Sequence, residues 1–295
     1  MKDLIRRNMR LFFRDKGLFL VSLITPVILL VLYISFLGNV YRDTFQQVFA
    51  PFGGLSDGLI SGAVGAQLMS SILAVSCVTV SFCSNFLMVQ DKVTGARRDF
   101  DMTPTKSSVV ACAYYISTVL VTLLVLLVAT ALCLIYVAVS GWYLSFSDVL
   151  FILLDIFLLV LFGTALSSII NLFLNSQGQI SAVGTIVSSG YGFACGAYMP
   201  ISQFSPTLQK ALSFFPGTYG TSLLRNHCMS GVFRQMETDG IPPSAIEEMR
   251  KAMDCKIFFF DTAVPLWAMF AILGGTVLVL MGIYLLIGFG KRKEK

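Results

Sequence analysis

The chain has 295 residues, of which 56% are hydrophobic and only 13% are charged, and its mean hydropathy is +0.81. Soluble domains carry about a quarter charged residues, so this composition excludes an ordinary soluble protein and indicates an integral membrane protein. The formal net charge of +5 does not point to a nucleic-acid partner, because in a membrane protein the location of the cations matters more than their sum.

Long, continuous apolar runs predict an all-α membrane protein with about six transmembrane helices. Crossing the hydrocarbon takes about twenty apolar residues, and continuous runs favour helices over the alternating strands of a β-barrel. The predicted spans are 18–37, 66–89, 109–139, 149–174, 180–198 and 264–289. They divide the chain into an N-terminal amphipathic helix (1–17) and a transmembrane domain (18–295) with an outer segment (199–263).

The N-terminal residues have the pattern of an interfacial helix. Apolar residues recur about every four positions at Ile5, Met9 and Phe12, while Arg6 and Arg10 occupy another face. Such a helix lies along the membrane surface with its cations near anionic headgroups. A surface anchor and a partner-binding helix both fit the pattern.

Lysine and arginine flank the predicted spans unevenly. Fourteen of the 21 lie at the N-terminus, between spans two and three, or in the C-terminal tail. The remaining seven lie mostly in the long outer segment, where they count for less. This distribution predicts that both termini are cytoplasmic.

The connection at 90–108 is the main predicted cytoplasmic loop, and it is too short to form a domain. Residues Asp91 to Arg98 are predicted to form a short helix parallel to the membrane, although a simple solvated turn is the alternative.

The outer segment is divided by prolines into short pieces. Residues 207–215 are too apolar for a free loop and are predicted to form a short helix that re-enters the membrane, with 217–236 as a second such piece. Farther on, a small amphipathic helix with a Glu247–Lys251 pair is expected to form a structural lid.

Polar groups inside the predicted spans have two interpretations. Asp155 lies about 10 Å from the outer end of span four at the helical rise, where it either contacts cargo or makes a structural hydrogen bond to a neighbouring helix. Spans two and five carry many Ser and Thr residues, and span five has a G-x-x-x-G pattern at Gly192 and Gly196. Such small faces serve helix packing or a transport pathway.

Motifs of the common enzyme classes are absent from the sequence. There is no G-x-x-x-x-G-K-[ST] phosphate loop and no G-x-S-x-G, and His227 is the single histidine, so no metal site is predicted. Cys228 and Cys255 lie on the same predicted outer side, where a disulfide between them would be allowed.

Three segments resemble, in their order and placement, the ABC-2 type permease family of ABC exporters. The first contains Arg7-Asn8, Arg14-Asp15-Lys16 and Thr25-Pro26; the second contains Gln90-Asp91-Lys92, Thr94-Gly95 and Thr103-Pro104; the third contains Gly196-Ala197-Tyr198-Met199-Pro200, Leu208-Gln209, Phe215-Pro216-Gly217-Thr218-Tyr219 and Leu224-Arg225. The second segment departs from the family, which often has Glu-Arg-Glu where this chain has Gln-Asp-Lys.

The resemblance implies a homodimer of permease chains in the bilayer of a bacterial cell membrane, with two separate ABC ATP-binding subunits that hold ATP and Mg²⁺. It implies that the N-terminal helix and the helix within 91–98 couple those subunits to the spans. The expected coupling residues are Arg10, Arg14, Asp91, Lys92, Thr94, Gly95, Arg97 and Arg98. The expected transport pathway contains Ser81, Asn85, Asp155, Thr185 and Ser188.

The predicted function is therefore that of a permease subunit, not an enzyme by itself, in an ATP-driven exporter of amphipathic or hydrophobic cargo. A drug, a lipid-linked molecule or a modified peptide would fit, and the long outer segment argues against a polysaccharide. The alternative is a self-contained channel or secondary transporter, which the lack of a visible internal repeat weakens.

Overall fold

The computed structural model describes residues 1–50, 54–103, 105–260 and 262–290. The described chain is mostly helical, which confirms the predicted all-α membrane fold. Pro104 and the basic tail at 291–295, both used in the predictions above, lie outside the described residues. The helices are α1 (Lys2–Arg14), α2 (Lys16–Leu32), α3 (Gly38–Phe49), α4 (Asp57–Asn85), α5 (Leu87–Val93), α6 (Ala96–Asp101), α7 (Ser107–Ser140), α8 (Phe146–Phe173), α9 (Gln177–Ala194), α10 (Pro206–Leu212), α11 (Pro216–Thr238), α12 (Pro243–Ala252) and α13 (Leu266–Gly290), and strands β1 (Phe258–Phe259) and β2 (Thr262–Ala263) form a hairpin.

The helical bundle has two ends, which we name by the elements they carry. The basal end carries α1, α5 and α6, and the distal end carries α12 and the β1–β2 hairpin. The C-terminal part of α13 also lies at the basal end, since Tyr284 Oη donates to the carbonyl of Ala111 in α7 at 3.2 Å. Because α1 and the C-terminal part of α13 both lie at the basal end, the chain passes along the bundle an even number of times.

Five helical segments are long and apolar enough to cross a membrane. They are Pro26–Phe49, Asp57–Val93, Ser107–Ser140, Phe146–Phe173 and Leu266–Ile287. The first runs along α2 and α3, which join through a π-helical turn at Tyr33–Leu37. The remaining predicted span corresponds to α9, which has only 18 residues and is rich in Gln, Gly and Ser. Since the number of passes is even, α9 is the sixth.

α4 is the central helix of the bundle and is buried along nearly its whole length. It packs against α2, α7, α8, α9 and α11. It begins nine residues before the predicted start at 66, where the side chain of Ser56 caps the helix by accepting a hydrogen bond from the backbone N–H of Leu59. The prediction started late because the first turns are rich in glycine, which lowers their hydropathy. Small residues let α8 approach closely: a Cβ on Gly163 would lie 3.0 Å from Cα of Val78.

α9 ends earlier than predicted, at Ala194. Gly196 has a positive φ of 73°, a left-handed conformation that stops the helix. Gly196 is therefore not on a helical face, and the G-x-x-x-G interpretation is wrong. Gly192 instead makes room for the returning chain, since a Cβ there would lie 2.3 Å from the ring of Tyr198.

α10 and α11 correspond to the two predicted re-entrant pieces. Phe215, just before α11, packs edge-on against Phe162 with ring centroids 6.3 Å apart. Phe162 lies fourteen residues beyond Asp148 along α8, which is about 21 Å at the helical rise. Near its other end, α11 returns to the start of α8, where Arg234 donates to Asp148 Oδ1 at 3.1 Å. α11 thus starts deep in the bundle and ends at the distal end.

α12 is the predicted small amphipathic helix, with Ile246 and Met249 buried. The predicted Glu247–Lys251 pair does not form. Glu247 instead accepts a hydrogen bond from Lys256 at 2.5 Å, because the chain after α12 turns back along the helix.

The closest approach of α11 to the loop before α8 generates a prediction. A Cβ on Gly231 would lie 2.0 Å from the carbonyl oxygen of Tyr143, and neither backbone can yield without moving its helix. We expect Gly231→Ala to lower the free energy of unfolding by about 1–3 kcal/mol or more. Gly274→Ala in α13 is the control, since nothing lies within 4 Å of its Cβ position. Thermal unfolding in detergent measures both, and equal melting temperatures would refute the contact.

Candidate functional site

The basal end is held together by a buried carboxylate. Arg7 of α1 donates to both oxygens of Asp91, at 2.7 and 2.9 Å, and Tyr114 Oη donates to Oδ2 at 2.5 Å. Asp91 is only 5% exposed. Bidentate arginine–carboxylate pairs are among the strongest hydrogen bonds in proteins, and this hydrogen bond raises the pKa of Arg7. α1, α5 and α7 therefore share one anchoring point.

A second contact fixes α1 along α7. Asn8 Nδ2 donates to Ser117 Oγ at 3.2 Å, and Phe12 is buried against Val121 and Val125. The N-terminal helix is thus attached to the bundle through Arg7, Asn8 and Phe12 on its inner face. This agrees with the predicted interfacial helix. The contacts make α1 a rigid part of the base.

Lys92 connects α5 to the basal end of α8. Its ammonium donates to the carbonyls of Asn171, Leu172 and Leu174, at 2.7, 3.0 and 3.1 Å. The last carbonyls of an α-helix receive few N–H donors from within the helix, so a cation at this end satisfies them and complements the helix dipole.

The eight predicted coupling residues differ in how far they are exposed. Asp91 and Lys92 face inward, as described above. Arg97 is partly buried and donates to Ser107 Oγ at 3.3 Å. The exposed residues are Arg10, Arg14, Thr94 and Arg98, with Gly95 half-buried between the two short helices.

The predicted single helix over 91–98 is divided in the structure. Gly95 has a φ of 84° and separates α5 from α6. A glycine adopts this conformation without steric cost, so the base presents two short rigid helices joined by a tight turn. The role of these residues in docking a partner stays a prediction.

Two predicted pathway residues, Ser81 and Asn85, lie inside the bundle. Asn85 Nδ2 donates to Ser167 and Ser168 of α8 at 2.9 Å each, and Thr164 Oγ1 lies 3.4 Å from Ser81 Oγ. In the described structure these side chains join α4 to α8 and are buried. Their part in transport stays a prediction.

Asp155 is fully buried and pairs with the single histidine. Its Oδ2 lies 2.6 Å from His227 Nδ1, and the His227 ring stacks on Phe151 at 5.0 Å. Oδ1 has no hydrogen-bond partner among the described residues. Of the two predicted roles of Asp155, the structure therefore shows the structural hydrogen bond to a neighbouring helix. This bond joins α8 to α11.

Thr185 and Ser188 lie on α9 in different surroundings. Thr185 is exposed, whereas the backbone carbonyl of Ser188 accepts a hydrogen bond from Tyr198 Oη at 3.0 Å. The exposed face of α9, which we call the α9 face, is formed by Ser181, Ala182, Thr185, Ile186, Ser189, Gly190 and Phe193. By contrast, most of the exposed side chains of α13 are large and apolar, as lipid-facing side chains are.

A buried ion pair at the distal end was not predicted. Arg225 of α11 donates to Asp254 at 3.2 Å and to the carbonyl of Gly196, and Asp254 also accepts from the backbone N–H groups of Ile201 and Ser202. The pair joins α11, the chain after α9 and the end of α12. Arg225 lies in the family signature, but nothing in the sequence marked Asp254.

All seven cysteines are free thiols in the structure, so the disulfide between Cys228 and Cys255 is not formed. Cys255 Sγ lies 3.9 Å from Met229 Sδ instead. Burial raises the pKa of the Cys255 thiol to about 12, which keeps it protonated and unreactive at neutral pH. Across the described residues, no group of three or more His, Cys, Asp and Glu side chains could hold a metal.

The buried carboxylate at the base generates a second prediction. Asp91→Ala leaves Arg7 and Tyr114 without their acceptor, so we expect the free energy of unfolding to fall by about 1–3 kcal/mol. Asp99→Ala, at an exposed position of α6, is the matched control and should leave it unchanged. Denaturant unfolding in detergent measures both. If the two variants are equally stable, Asp91 does not anchor the base.

A comparison with protein families agrees with this architecture. The family model described as ABC-2 type transporter matches residues 1–228, from α1 into α11 and more than half of the chain. No curated protein matches the sequence. The interfacial helix, the short basal helices and the helices of the bundle up to α9 lie within the matched region, which ends inside α11 and does not include α13. The chain belongs to the ABC-2 type transporter family and is a multi-pass membrane permease subunit.

Proposed function

We propose that this chain is the permease subunit of an ATP-driven exporter in a bacterial cell membrane, with both termini in the cytoplasm. The observation that supports the proposal best is the construction of the basal end. α1, α5 and α7 share the Arg7–Asp91–Tyr114 contact, while Lys92 joins the same unit to α8. The base is therefore a single mechanical element.

The 295 residues contain no phosphate loop, and in this proposal the energy comes from a separate subunit. Members of this family generally work with an ATP-binding subunit, and we propose that two copies dock at the base with their ATP and Mg²⁺. When two such subunits close on each other, they can move the spans only through rigid elements that contact both the subunits and the spans. The exposed cations of α1 and α6 are suitable contacts, because they lie on elements fixed to the spans.

The exposed basal cations give the third prediction. We expect the combined variant Arg10→Glu, Arg14→Glu and Arg98→Glu to lower ATPase co-purification and permease-dependent ATP hydrolysis by at least about tenfold, the effect of losing about 1.4 kcal/mol of binding. These side chains are exposed, so folding should be unaffected. The measurement is ATP hydrolysis by the complex of this chain with its ATP-binding partner.

A charge reversal at an exposed distal position, Glu248→Arg, which changes the charge by as much as each single arginine replacement does, is the control and should leave hydrolysis unchanged. Normal complex formation and transport by the triple variant would contradict the docking site. Transport by the permease alone in liposomes, without any ATPase, would favour a self-contained channel or secondary transporter instead.

We further propose that the α9 face meets the same face of a second permease chain and borders the cargo route. Hydrocarbon does not favour exposed Ser and Thr side chains, whereas small residues allow close helix contacts. The face also carries Ile186 and Phe193, which are 68% and 53% exposed. A route bordered by hydroxyl and apolar groups suits an amphipathic or hydrophobic cargo.

The fourth prediction tests this pairing. Ser189→Cys on the α9 face should give a disulfide-linked dimer when the complex is oxidised in membranes, because like faces of two chains lie together. Leu278→Cys on α13, which is 74% exposed, is the control and should not be cross-linked on a non-reducing gel, and neither should the unaltered chain. Cross-linking only through Leu278→Cys would place the dimer contact on α13 instead.

A further inference from the structure

A cavity of about 120 Å³ with both polar and apolar lining lies at the distal end, between α10, α12 and the β1–β2 hairpin. Its polar lining includes Ser202, Gln209, Lys251, Asp254 and Lys256. Since a water molecule occupies about 30 Å³ in the liquid, the cavity has room for a small charged group such as a phosphate. Lys251 is exposed, so the cavity reaches the surface.

The charges that line this cavity leave one cation without a counterion. Asp254 is already matched by Arg225, and its two oxygens accept hydrogen bonds from Arg225 and from the backbone N–H groups of Ile201 and Ser202. Lys256 is paired with Glu247. Lys251 has no ion-pair partner among the described residues, because Glu247 bonds to Lys256 instead. The cavity therefore favours an anion.

An exposed aromatic surface adjoins the cavity. The rings of Phe214 and Phe259 pack edge-on at 5.2 Å, and those of Phe259 and Phe260 at 5.0 Å. Phe258 is 42% exposed and lines the cavity itself. We call Phe214 and residues 258–260 the aromatic patch. A group bound in the cavity thus has apolar surface directly beside it.

The chain positions this patch at the edge of the membrane. α13 begins shortly after the hairpin, and its second residue, Trp267, is 74% exposed. Tryptophan is enriched at the membrane–water boundary, where headgroups lie. Lys210 Nζ lies 5.7 Å from the Phe260 ring centroid, so the patch also combines apolar area with a nearby cation, as interfacial surfaces do.

We propose that the cavity binds the phosphate of an anionic phospholipid from the leaflet that meets the distal end, and that the acyl chains lie on the aromatic patch. The ammonium of Lys251 contacts the phosphate, and Phe258 separates headgroup from chains. The site is independent of the proposed export function, because it involves none of the basal residues.

The test uses the full chain, purified in detergent and stripped of lipid, with calorimetric titration of dihexanoyl phosphatidylglycerol. We expect saturable binding, and about tenfold weaker binding of dihexanoyl phosphatidylcholine, which has the same phosphate but no net charge. Lys251→Gln should weaken phosphatidylglycerol binding by about tenfold, as expected for one lost charge-assisted hydrogen bond. Lys251→Arg should retain it.

Controls separate the site from general charge and from folding. Lys106→Gln, an exposed lysine at the basal end, should leave binding unchanged, and melting temperatures verify that each variant is folded. Phe258→Ala should weaken binding of the lipid but not of inorganic phosphate. Equal affinity for the two lipids, or unchanged binding in Lys251→Gln, overturns the proposal. Inorganic phosphate that binds as tightly as phosphatidylglycerol identifies a free-anion site and overturns the lipid assignment.

Discussion

The constraint on which this structure depends is that hydrocarbon offers no hydrogen bonds, so hydrogen bonds between buried polar groups of different helices strongly stabilise the bundle. Asp91 therefore lies against Arg7 and Tyr114, and Asn85 against Ser167 and Ser168. Each such contact joins helices that are distant in sequence. The polar contacts of this bundle consequently add specific links between helices that the apolar core also packs together.

Much of the fold could be predicted from the sequence, because apolar runs of membrane length have few other uses. The helix starts were less predictable. α4 begins before its predicted start because Gly58 and Gly62 lower the hydropathy of its first turns. They do not break the helix, which is packed on all sides by its neighbours. The end of α9 was not predicted, because a glycine in a pattern of small residues fits either a helix-packing face or a left-handed residue that ends a helix. Gly196 is the residue that ends the helix.

The candidate site was predictable as a region but not as contacts. Basic and small residues marked the basal helices, yet the same charge pattern fits a docking side chain and an internal anchor. Asp91 and Lys92 turned out to be anchors, because their partners come from α1, α7 and α8. Asp155 and His227, or Arg225 and Asp254, could not be paired from sequence either, since distance along the chain does not limit contact between packed helices.

The capping of α8 has a consequence for how force travels through the molecule. With 28 residues, α8 is a rod about 42 Å long at the helical rise. At its basal end, the ammonium of Lys92 donates a hydrogen bond to the carbonyl of Asn171. At its distal end, the ion pair between Asp148 and Arg234 joins it to α11. We therefore expect a displacement of α5, which carries Lys92, to pass along α8 to α11 at the distal end. α8 therefore connects the basal and the distal end of the bundle through one continuous helix.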